Sequence, residues 1–252
     1  MKADRDENLL IGIHSVASAL HSAPEKVRLV VIAGESKNPR VTELEQVARA
    51  KGVTVQHQPR SQLDKRCHDE NRHQDILAEF TGSNLYGERD IEQLLADIDG
   101  DPLVLVLDGI QDPHNFGACL RTAEAAGVHF VVVPKDKSAG LSPVVRRSAA
   151  GAAEVISIVT VTNLARVLRQ LKQAGIWLAG ADGEARQSIQ EIPLNGPLAL
   201  VMGSEGSGMR RLTAEHCDYL IRIPMSGTVS SLNVSVATGV CLFEILRQRS
   251  PA

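Results

Sequence analysis

Three clusters of polar and small residues in the second half of the chain carry the side chains that could bind a ligand and act on it. The clusters are Asn115–Thr122, Gly203–Met209 and Pro224–Val234. Each comes after an apolar run that is typical of a buried strand, and open α/β sheets bind ligands outside the carboxyl ends of their strands. The sequence therefore predicts a single pocket to which all three clusters contribute.

The first cluster places an amide and a guanidinium after the apolar run Leu103–Leu107. Pro113 and Gly117 shape the turn, and Asn115 is placed to cap the helix that starts there. Arg121 lies on that helix, where a surface salt bridge is the simplest alternative to a functional role. Taken alone, these residues are explained as well by a capped surface helix as by a binding site.

The second cluster is a glycine-rich loop that contains a carboxylate. Gly203, Gly206 and Gly208 allow a ligand to come close to backbone N–H and C=O groups. A dinucleotide-binding loop is the alternative, but its pattern is G-x-G-x-x-G after the first strand of its unit. Here the order is G-x-x-G-x-G after a late strand, and Glu205 would repel a pyrophosphate. The loop favours a cation or a ligand with an amino group, and an enzyme that uses NAD remains an alternative.

The third cluster leads from the end of a strand into the last helix. Ser230 or Ser231 is a natural N-cap, and Asn233 in the first turn faces the same region as the other two clusters. The helix, residues 232–247, is apolar nearly all round and therefore needs cover on more than one side. We expect a homodimer through this C-terminal domain, with a wholly buried core helix as the alternative.

The elements that position the clusters alternate between strand and helix. Continuous apolar runs predict strands of a doubly wound parallel sheet at Leu103–Leu107, Val128–Val133, Val155–Val159, Ile176–Ala179, Leu198–Met202 and Tyr219–Ile223. Thr162 is expected to cap one of the helices between them, which Gly175 ends.

The first 80 residues predict a separate, small α/β unit. Its strands are expected at Val27–Ala33, Val53–Gln56 and Ile76–Phe80, and a helix is expected at Gly12–Leu20. A second helix should begin with Asn38 as its cap. The loop-like composition of residues 81–100 predicts an interdomain linker, so the second domain comprises residues 101–252.

The composition limits the classes of protein to which the chain can belong. The formal net charge is −3 and aromatic residues make up 3%, which argues against bulk electrostatic binding of nucleic acid and against a base-stacking platform. The four cysteines form no C-x-x-C motif, so we expect reduced thiols and no metal site. With no signal peptide and no apolar run of membrane-spanning length, we expect a soluble, cytoplasmic protein.

The three clusters in this order resemble the motifs of the SpoU class of the SPOUT RNA methyltransferases. The match covers about residues 103–249, and its most specific strings are Asp112–Asn115 and Ser230–Ala237. The whole chain resembles the branch that methylates a guanosine 2′-hydroxyl in 23S ribosomal RNA. The resemblance implies a C-terminal sheet with a deep trefoil knot. It also implies that residues 1–80 form an RNA-binding domain similar to ribosomal protein L30e.

The resemblance also implies the cofactor, which is S-adenosylmethionine, and the residues of the site. The positions that match the catalytic residues of the class are Asn115, Arg121, Glu205, Ser231 and Asn233. Those that match or flank the cofactor pocket are Met202, Gly203, Glu205, Gly208, Ile223, Pro224 and Leu232. The substrate would be 23S rRNA or a precursor of the large ribosomal subunit. Methylation of another rRNA or of a tRNA, and a non-catalytic assembly factor, remain as alternatives.

Arg121 occupies a position often regarded as the catalytic base in this class. A guanidinium keeps its proton below about pH 12, so we expect Arg121 to grip the RNA phosphate beside the target ribose instead. Further RNA contacts are expected from basic and histidine side chains, with a solvated charged surface as the alternative. These are His14, Arg60, Lys65, Arg66, Arg72, Lys135 and Arg146, and the densest run, Arg60–His73, also contains His68.

Overall fold

The structure of the chain is a computed structural model that describes residues 9–67, 73–81 and 85–250. The chain divides into two compact units. The smaller contains Met1–Asn84 with Ala150–Val155, and the larger contains Leu85–Ala149 with Ile156–Ala252. No helix in the described part of the chain is both long and apolar enough to cross a membrane.

The smaller unit is a four-stranded sheet with helices on both faces. Its strands are β1 (Leu9–Ile11), β2 (Val27–Ala33), β3 (Thr54–Gln58) and β4 (Ile76–Phe80), in the order β1-β4-β2-β3. Its helices are α1 (Ile13–Ser22), α2 (Pro39–Ala50) and α3 (Arg60–Cys67). The predicted cap of α2 is present, because the side chain of Asn38 accepts a hydrogen bond from Arg40 N.

The larger unit is built on an eight-stranded sheet whose paired strands are all parallel. The strands are β5 (Leu85–Gly87), β6 (Leu103–Asp108), β7 (Phe130–Pro134), β8 (Ser157–Val161), β9 (Trp177–Ala181), β10 (Gln187–Ser188), β11 (Leu198–Gly203) and β12 (Tyr219–Arg222). Their order is β10-β12-β9-β11-β6-β7-β8-β5. The predicted parallel α/β class is therefore confirmed, and β6 and β11 are wholly or almost wholly buried, as their apolar runs indicated.

Six helices in the described residues accompany this sheet. They are α4 (Ile91–Ala96), α5 (Pro113–Ala125), α6 (Pro143–Ala149), α7 (Leu164–Gln173), α8 (Arg211–His216) and α9 (Val234–Arg249). Val104 and Val106 of β6 share a core cluster with Leu168 of α7. Because side chains alternate along a strand, Leu105 and Leu107 face the other side. Helix α9 packs against α5 and β11.

The stretch 81–100, which we predicted to be a linker, contains regular structure. Leu85–Gly87 pairs with β8 as the last strand of the large sheet, and Ile91 of α4 is fully buried in the core of the larger unit. Its polar composition resembles a loop because β5 is only three residues long and lies at the sheet edge. The linker prediction is corrected accordingly: the larger unit begins at Leu85 rather than at residue 101.

The N-terminus of α7 also differs from the expected cap. The N-cap is Asn163, whose side chain accepts from Arg166 N, whereas the hydroxyl of Thr162 donates to Glu88 Oε1 at 2.7 Å. Burial alone would raise the pKa of Glu88. Hydrogen bonds from Thr162, Arg166 and Asn163 outweigh it and lower the pKa of this carboxyl to about 2. Glu88 thereby joins the end of β5 to the start of α7.

Candidate active site

The three clusters meet at the carboxyl edge of the sheet, where β6 and β11 are neighbours. Asn115 Nδ2 donates to Glu205 Oε2 at 2.9 Å. Asn233 Nδ2 donates to Asn115 Oδ1 at 2.9 Å and lies 3.5 Å from Glu205 Oε1. One residue from each cluster thus contributes to a closed network, which we call the amide–carboxylate triangle.

Helix α5 presents the first member of this triangle. The helix begins at Pro113, and its N-cap is Asp112, whose carboxylate accepts a hydrogen bond from Asn115 N at 2.8 Å. The alternative that Asn115 caps the helix is therefore wrong, because α5 begins two residues before it and Asp112 occupies the N-cap position. The amide side chain of Asn115 is therefore available to Glu205 and Asn233.

Close packing fixes the position of α5. A Cβ atom added at Gly117 would lie 2.5 Å from Ser148 Cβ and 2.6 Å from Val145 O of α6, so only glycine fits there. On its other side, Cys119 Sγ lies 3.6 Å from Thr238 Oγ1 of α9. The helix is thus held between α6 and α9, and the orientation of Asn115 follows from that packing.

Asn233 has two roles that its position explains. It is the N-cap of α9, and its Oδ1 accepts hydrogen bonds from Ser235 N at 3.0 Å, Ser235 Oγ at 2.6 Å and Val236 N at 3.4 Å. With the oxygen held in this way, the NH₂ group must point toward Asn115 and Glu205. The expected caps Ser230 and Ser231 are both exposed and take no part in the start of α9.

The glycine loop forms a tight turn that carries Glu205. Ser204 N donates to Gly208 O at 3.0 Å and Gly208 N donates to Ser204 O at 2.9 Å, which closes the loop. A Cβ atom at Gly203 would lie 2.1 Å from Gly208 C and from Met209 N. The space beside Gly203 is therefore filled by the backbone of Gly208 and Met209 rather than left open to a ligand. Only the remaining part of the loop can face a ligand.

Asp108 and Arg210 are two residues of the site that sequence reasoning missed. Asp108 ends β6, pairs in register with Gly203 and is buried. Its Oδ2 accepts a hydrogen bond from Arg210 N at 2.9 Å, and its Oδ1 lies 3.5 Å from Arg210 Nη1 without forming a hydrogen bond. Both ends of the glycine loop are thus attached to Asp108. A carboxylate directly after five apolar residues was the available signal.

The structure does not bring every predicted catalytic residue to the triangle. Arg121 lies six residues after Asn115, about 9 Å further along α5, and is exposed. It makes no ion pair or hydrogen bond within the described residues. Ser231 is exposed and likewise has no hydrogen bond to another described residue. Arg121 is therefore available to an external anion.

The segment Pro224–Leu232 has the features of a ligand-binding stretch. None of its backbone N–H or C=O groups is hydrogen-bonded to another residue in the part of the chain that the structure describes. Ile223 and Leu232 at its ends are half-buried, and Pro224 is exposed. Free amide groups beside apolar side chains suit a nucleoside, whose flat base needs both. Of the other predicted cofactor positions, Gly208 is exposed, whereas Met202 is buried within β11.

The basic side chains expected to contact RNA fall into two groups. His14, Lys65 and Lys135 are exposed, whereas Arg146 is half-buried. Arg60 and Arg66 are ion-paired within the smaller unit, the former with Asp75 at 3.1 Å and the latter with Glu79 at 2.6 Å. These pairs reduce the positive charge of the Arg60–His73 run below what the sequence indicated.

Two further members of that run need separate comment. His73 is fully buried and its Nε2 lies 2.8 Å from Asp64 Oδ1, so its inclusion in an RNA-binding patch was wrong. His68 and Arg72 lie outside the described residues. Among the described residues, no group of three or more His, Cys, Asp or Glu side chains could hold a metal ion.

Comparison with known proteins identifies the family. Residues 102–243 match the SpoU rRNA Methylase family, and residues 9–86 match the family described as RNA 2′-O ribose methyltransferase substrate binding. The chain belongs to the SpoU rRNA methylase family. The resemblance stated from the three clusters is thereby confirmed, and the triangle lies within the matched segment.

Individual relatives match nearly the whole length of the chain. The protein named 23S rRNA (guanosine-2′-O-)-methyltransferase RlmB from Pseudomonas aeruginosa is 54% identical over 95% of this chain and 96% of its own length. The protein of the same name from Escherichia coli is 50% identical over 96% of this chain and 99% of its own length. Among solved structures, an AdoMet-bound rRNA methyltransferase from Sinorhizobium meliloti has a TM-score of 0.74 at 25% identity. That comparison covers 100% of this chain and 92% of the other.

Proposed function

We propose that this protein transfers a methyl group from S-adenosylmethionine to the 2′-hydroxyl of a guanosine in 23S ribosomal RNA. The observation that carries the proposal is the amide–carboxylate triangle. Its members Asn115, Glu205 and Asn233 come from the three clusters that resemble the SpoU motifs, and all three lie within the segment that matches the family. Full-length relatives with that activity in their names support the choice of RNA and of nucleoside.

The difficult step in this reaction is activation of the hydroxyl group, since a ribose hydroxyl is a weak acid. Glu205 accepts hydrogen bonds from Asn115 at 2.9 Å and from Asn233 at 3.5 Å, which leaves further lone pairs on its carboxylate for the hydroxyl proton. Asn115 and Asn233 hold that carboxylate in place, so it orients the hydroxyl without having to reorganise. Positioning of the nucleophile is thus the main task of the triangle.

The cofactor supplies an activated methyl group on a sulfonium, and the leaving thioether is neutral and needs no acid. The residues that would hold it are Gly203, Glu205 and Gly208 of the glycine loop together with the segment Pro224–Leu232. The negative charge of Glu205 suits a cationic cofactor. The unpaired amide groups of Pro224–Leu232 suit the edge of its adenine ring. The structurally similar rRNA methyltransferase from Sinorhizobium meliloti is described as AdoMet-bound.

We propose that Arg121 binds the phosphate next to the target ribose through two parallel N–H groups. Its exposure, and the lack of any carboxylate partner in the described chain, support this role. Arg121→Lys retains the charge and loses the paired N–H groups, so it should be nearly as inactive as Arg121→Ala. Turnover close to that of the wild type in the lysine variant would exclude the phosphate grip as described.

The main experiment maps 2′-O-methyl groups in ribosomal RNA from cells with and without this protein. We expect one guanosine of 23S rRNA to lose its methyl group in the deleted strain and regain it on complementation. Complementation with Asn233→Ala serves as the matched inactive control. A methyl group lost instead from a tRNA or from another rRNA would identify that RNA as the substrate. An unchanged map, together with no binding of S-adenosylmethionine in calorimetry, would indicate a non-catalytic assembly factor.

We also propose that the C-terminal segment passes through a trefoil knot. Strand β12 lies beyond β9, yet the following helix α9 packs against α5 and β11, so the chain must return across the carboxyl edge. On this return path the chain passes close to the connection after β9, because Ser230 O would lie 3.9 Å from a Cβ atom added at Gly183. Such a path past neighbouring connections is what a knot requires.

The smaller unit is proposed to bind the RNA substrate as an L30e-like domain, which its match to a substrate-binding family supports. Its exposed His14 and Lys65 are the candidate contacts, and in the larger unit Lys135 and Arg146 are the corresponding side chains. Since bacterial ribosomal RNA is made and modified in the cytoplasm, we place the protein there. Filter binding of 23S fragments to Lys65→Ala and Lys135→Ala variants tests these contacts.

A homodimer through α9 completes the proposal. Val236, Val240 and Phe243 are 52%, 41% and 53% exposed and recur at helical spacing on one stripe of α9. An exposed apolar stripe of this kind is typical of a subunit interface. Light scattering should give twice the chain mass for the wild type and a monomer for Val240→Lys. A monomeric wild type at micromolar concentration would contradict the dimer.

A further inference from the structure

A shallow cavity lies beside the first turn of α5, close to Asn115. Its volume is about 400 Å³, and it is lined by Gln111, Pro113, Ala139, Gly140, Leu141 and Ser142. The volume falls within the range of about 300–1,000 Å³ that is usual for small-ligand sites. None of its lining residues belongs to the glycine loop or to Pro224–Leu232, so it is separate from the proposed cofactor site.

The walls of the cavity are tied together by hydrogen bonds. Ala139 N donates to Ile110 O at 2.8 Å, and the hydroxyl of Ser138 lies 3.4 Å from the same oxygen. The loop that follows β7 is thereby attached to the loop that follows β6. Because the loop that follows β6 leads directly into α5, the cavity has a fixed position relative to Asn115.

The groups that line the cavity match the needs of a nucleobase. Pro113 and Leu141 offer half-buried apolar surface, and Gln111 offers an exposed amide with both donor and acceptor groups. The backbone N–H groups of Gly140 and Leu141 donate to no acceptor among the described residues. A guanine base presents both acceptors and donors on its edges, which amide groups can satisfy.

We propose that this cavity receives the base of the nucleotide that is methylated, and the inference rests on the proposed function. The base is attached to the ribose carbon next to the reacting one, so it must lie beside the triangle when the hydroxyl reaches Asn115. On the β11 side the glycine loop occupies that space, and the cavity lies on the β7 side. RNA-modifying enzymes take unstacked bases into pockets in the same manner.

Gly140 provides a test that leaves the fold intact. A Cβ atom at this position would meet nothing within 4 Å, and its backbone lies outside the left-handed region. The variant Gly140→Leu therefore adds bulk at the wall of the cavity without displacing the chain. Gly196→Leu is the matched control. Gly196 is equally open but precedes β11, at the opposite edge of the sheet.

The experiment measures single-turnover methylation of two RNA fragments, one with the mapped guanosine and one abasic at that nucleotide. On guanosine RNA, Gly140→Leu should be slower than the wild type by a factor of the order of 100, since the ribose is misplaced. On abasic RNA the two proteins should react at the same rate. The cofactor affinity and the melting temperature of Gly140→Leu should equal those of Gly196→Leu.

Two results would overturn the inference. One is wild-type activity of Gly140→Leu on guanosine RNA. The other is an equal impairment of Gly140→Leu on the abasic RNA, which would show general damage to the site. Failure of the proposed function itself is recognised separately, because in that case the wild-type protein does not methylate the guanosine RNA.

Discussion

Asp108 offers the sharpest test of how the site is held together. Its carboxylate is buried, accepts a hydrogen bond from Arg210 N at 2.9 Å and lies 3.5 Å from the Arg210 guanidinium. Two variants separate these contacts. Asp108→Asn keeps an acceptor for the N–H group and loses the ion pair, whereas Asp108→Ala loses both.

The expected magnitudes follow from the exposure of each contact. The ion pair involves an Arg210 side chain that is 47% exposed, so its loss in Asp108→Asn should cost less than about 1 kcal/mol of unfolding free energy. A buried charged acceptor contributes about 1.5–3 kcal/mol, so Asp108→Ala should cost about 2–3 kcal/mol. Urea denaturation of both variants beside the wild type measures the two values.

The catalytic consequence should be larger than the change in stability. Without the anchor at Asp108, the glycine loop can move and Glu205 no longer lies at a fixed distance from Asn115. A displacement of about 1 Å can reduce turnover on the order of 100-fold. We expect kcat of Asp108→Ala to fall to that extent at a temperature where the protein is folded, and kcat of Asp108→Asn to fall much less. Equal kcat values for Asp108→Ala and the wild type would refute this reasoning.

Three further perturbations have distinct expected outcomes. Gly203→Ala places a Cβ atom 2.1 Å from backbone atoms of the loop, so calorimetry should show loss of S-adenosylmethionine binding. Asn233→Asp keeps the cap of α9 and loses the donor to Asn115. Its melting temperature should stay near that of the wild type while methylation falls, whereas Asn233→Ala should also lose about 1 kcal/mol of stability. For Glu88, whose pKa is lowered to about 2 from 4.5, the stabilisation is present above pH 4.5 and lost as the pH falls toward 2. The stability difference between the wild type and Glu88→Gln should therefore be constant above about pH 5 and shrink below it, and a difference that grew in acid would contradict this assignment.

The strands could be predicted well because their signal is local. β6 and β11 begin at the predicted residues, Leu103 and Leu198, where continuous apolar runs start. β7 begins two residues later than predicted. Val128 N donates to Ala123 O, so Val128 still belongs to the end of α5. An apolar residue that closes a helix cannot be distinguished from the first residue of a strand by composition alone.

The caps of three helices could not be predicted because several suitable residues stand side by side. Asp112 rather than Asn115 caps α5, and Asn163 rather than Thr162 caps α7. Asn233 rather than Ser230 or Ser231 caps α9. The choice at α9 follows from a contact with Asn115, which is 118 residues away in the chain. Local propensity ranks the candidates about equally, so tertiary contacts decide between them.

The location of the candidate site could be predicted from the sequence, whereas the hydrogen bonds within it could not. The shared carboxyl edge of parallel strands was enough to bring the three clusters together. The hydrogen bonds among Asn115, Glu205 and Asn233 depend on helix orientations that no local pattern determines. The role of Asp108 was missed because a carboxylate at the end of a strand usually faces solvent, whereas this one is buried.

The proposed binding of the cofactor to the unpaired backbone of Pro224–Leu232 would make the stability of this protein depend on its ligand. Eight amide N–H groups in this segment have no acceptor among the described residues, so they should exchange with solvent within the native state. A cofactor that binds them supplies the missing partners, and at 100 times its Kd it adds about 2.7 kcal/mol to the free energy of unfolding. Amide protection in Met225–Leu232 would then report occupancy directly. The melting temperature would rise with cofactor concentration even where the RNA is absent.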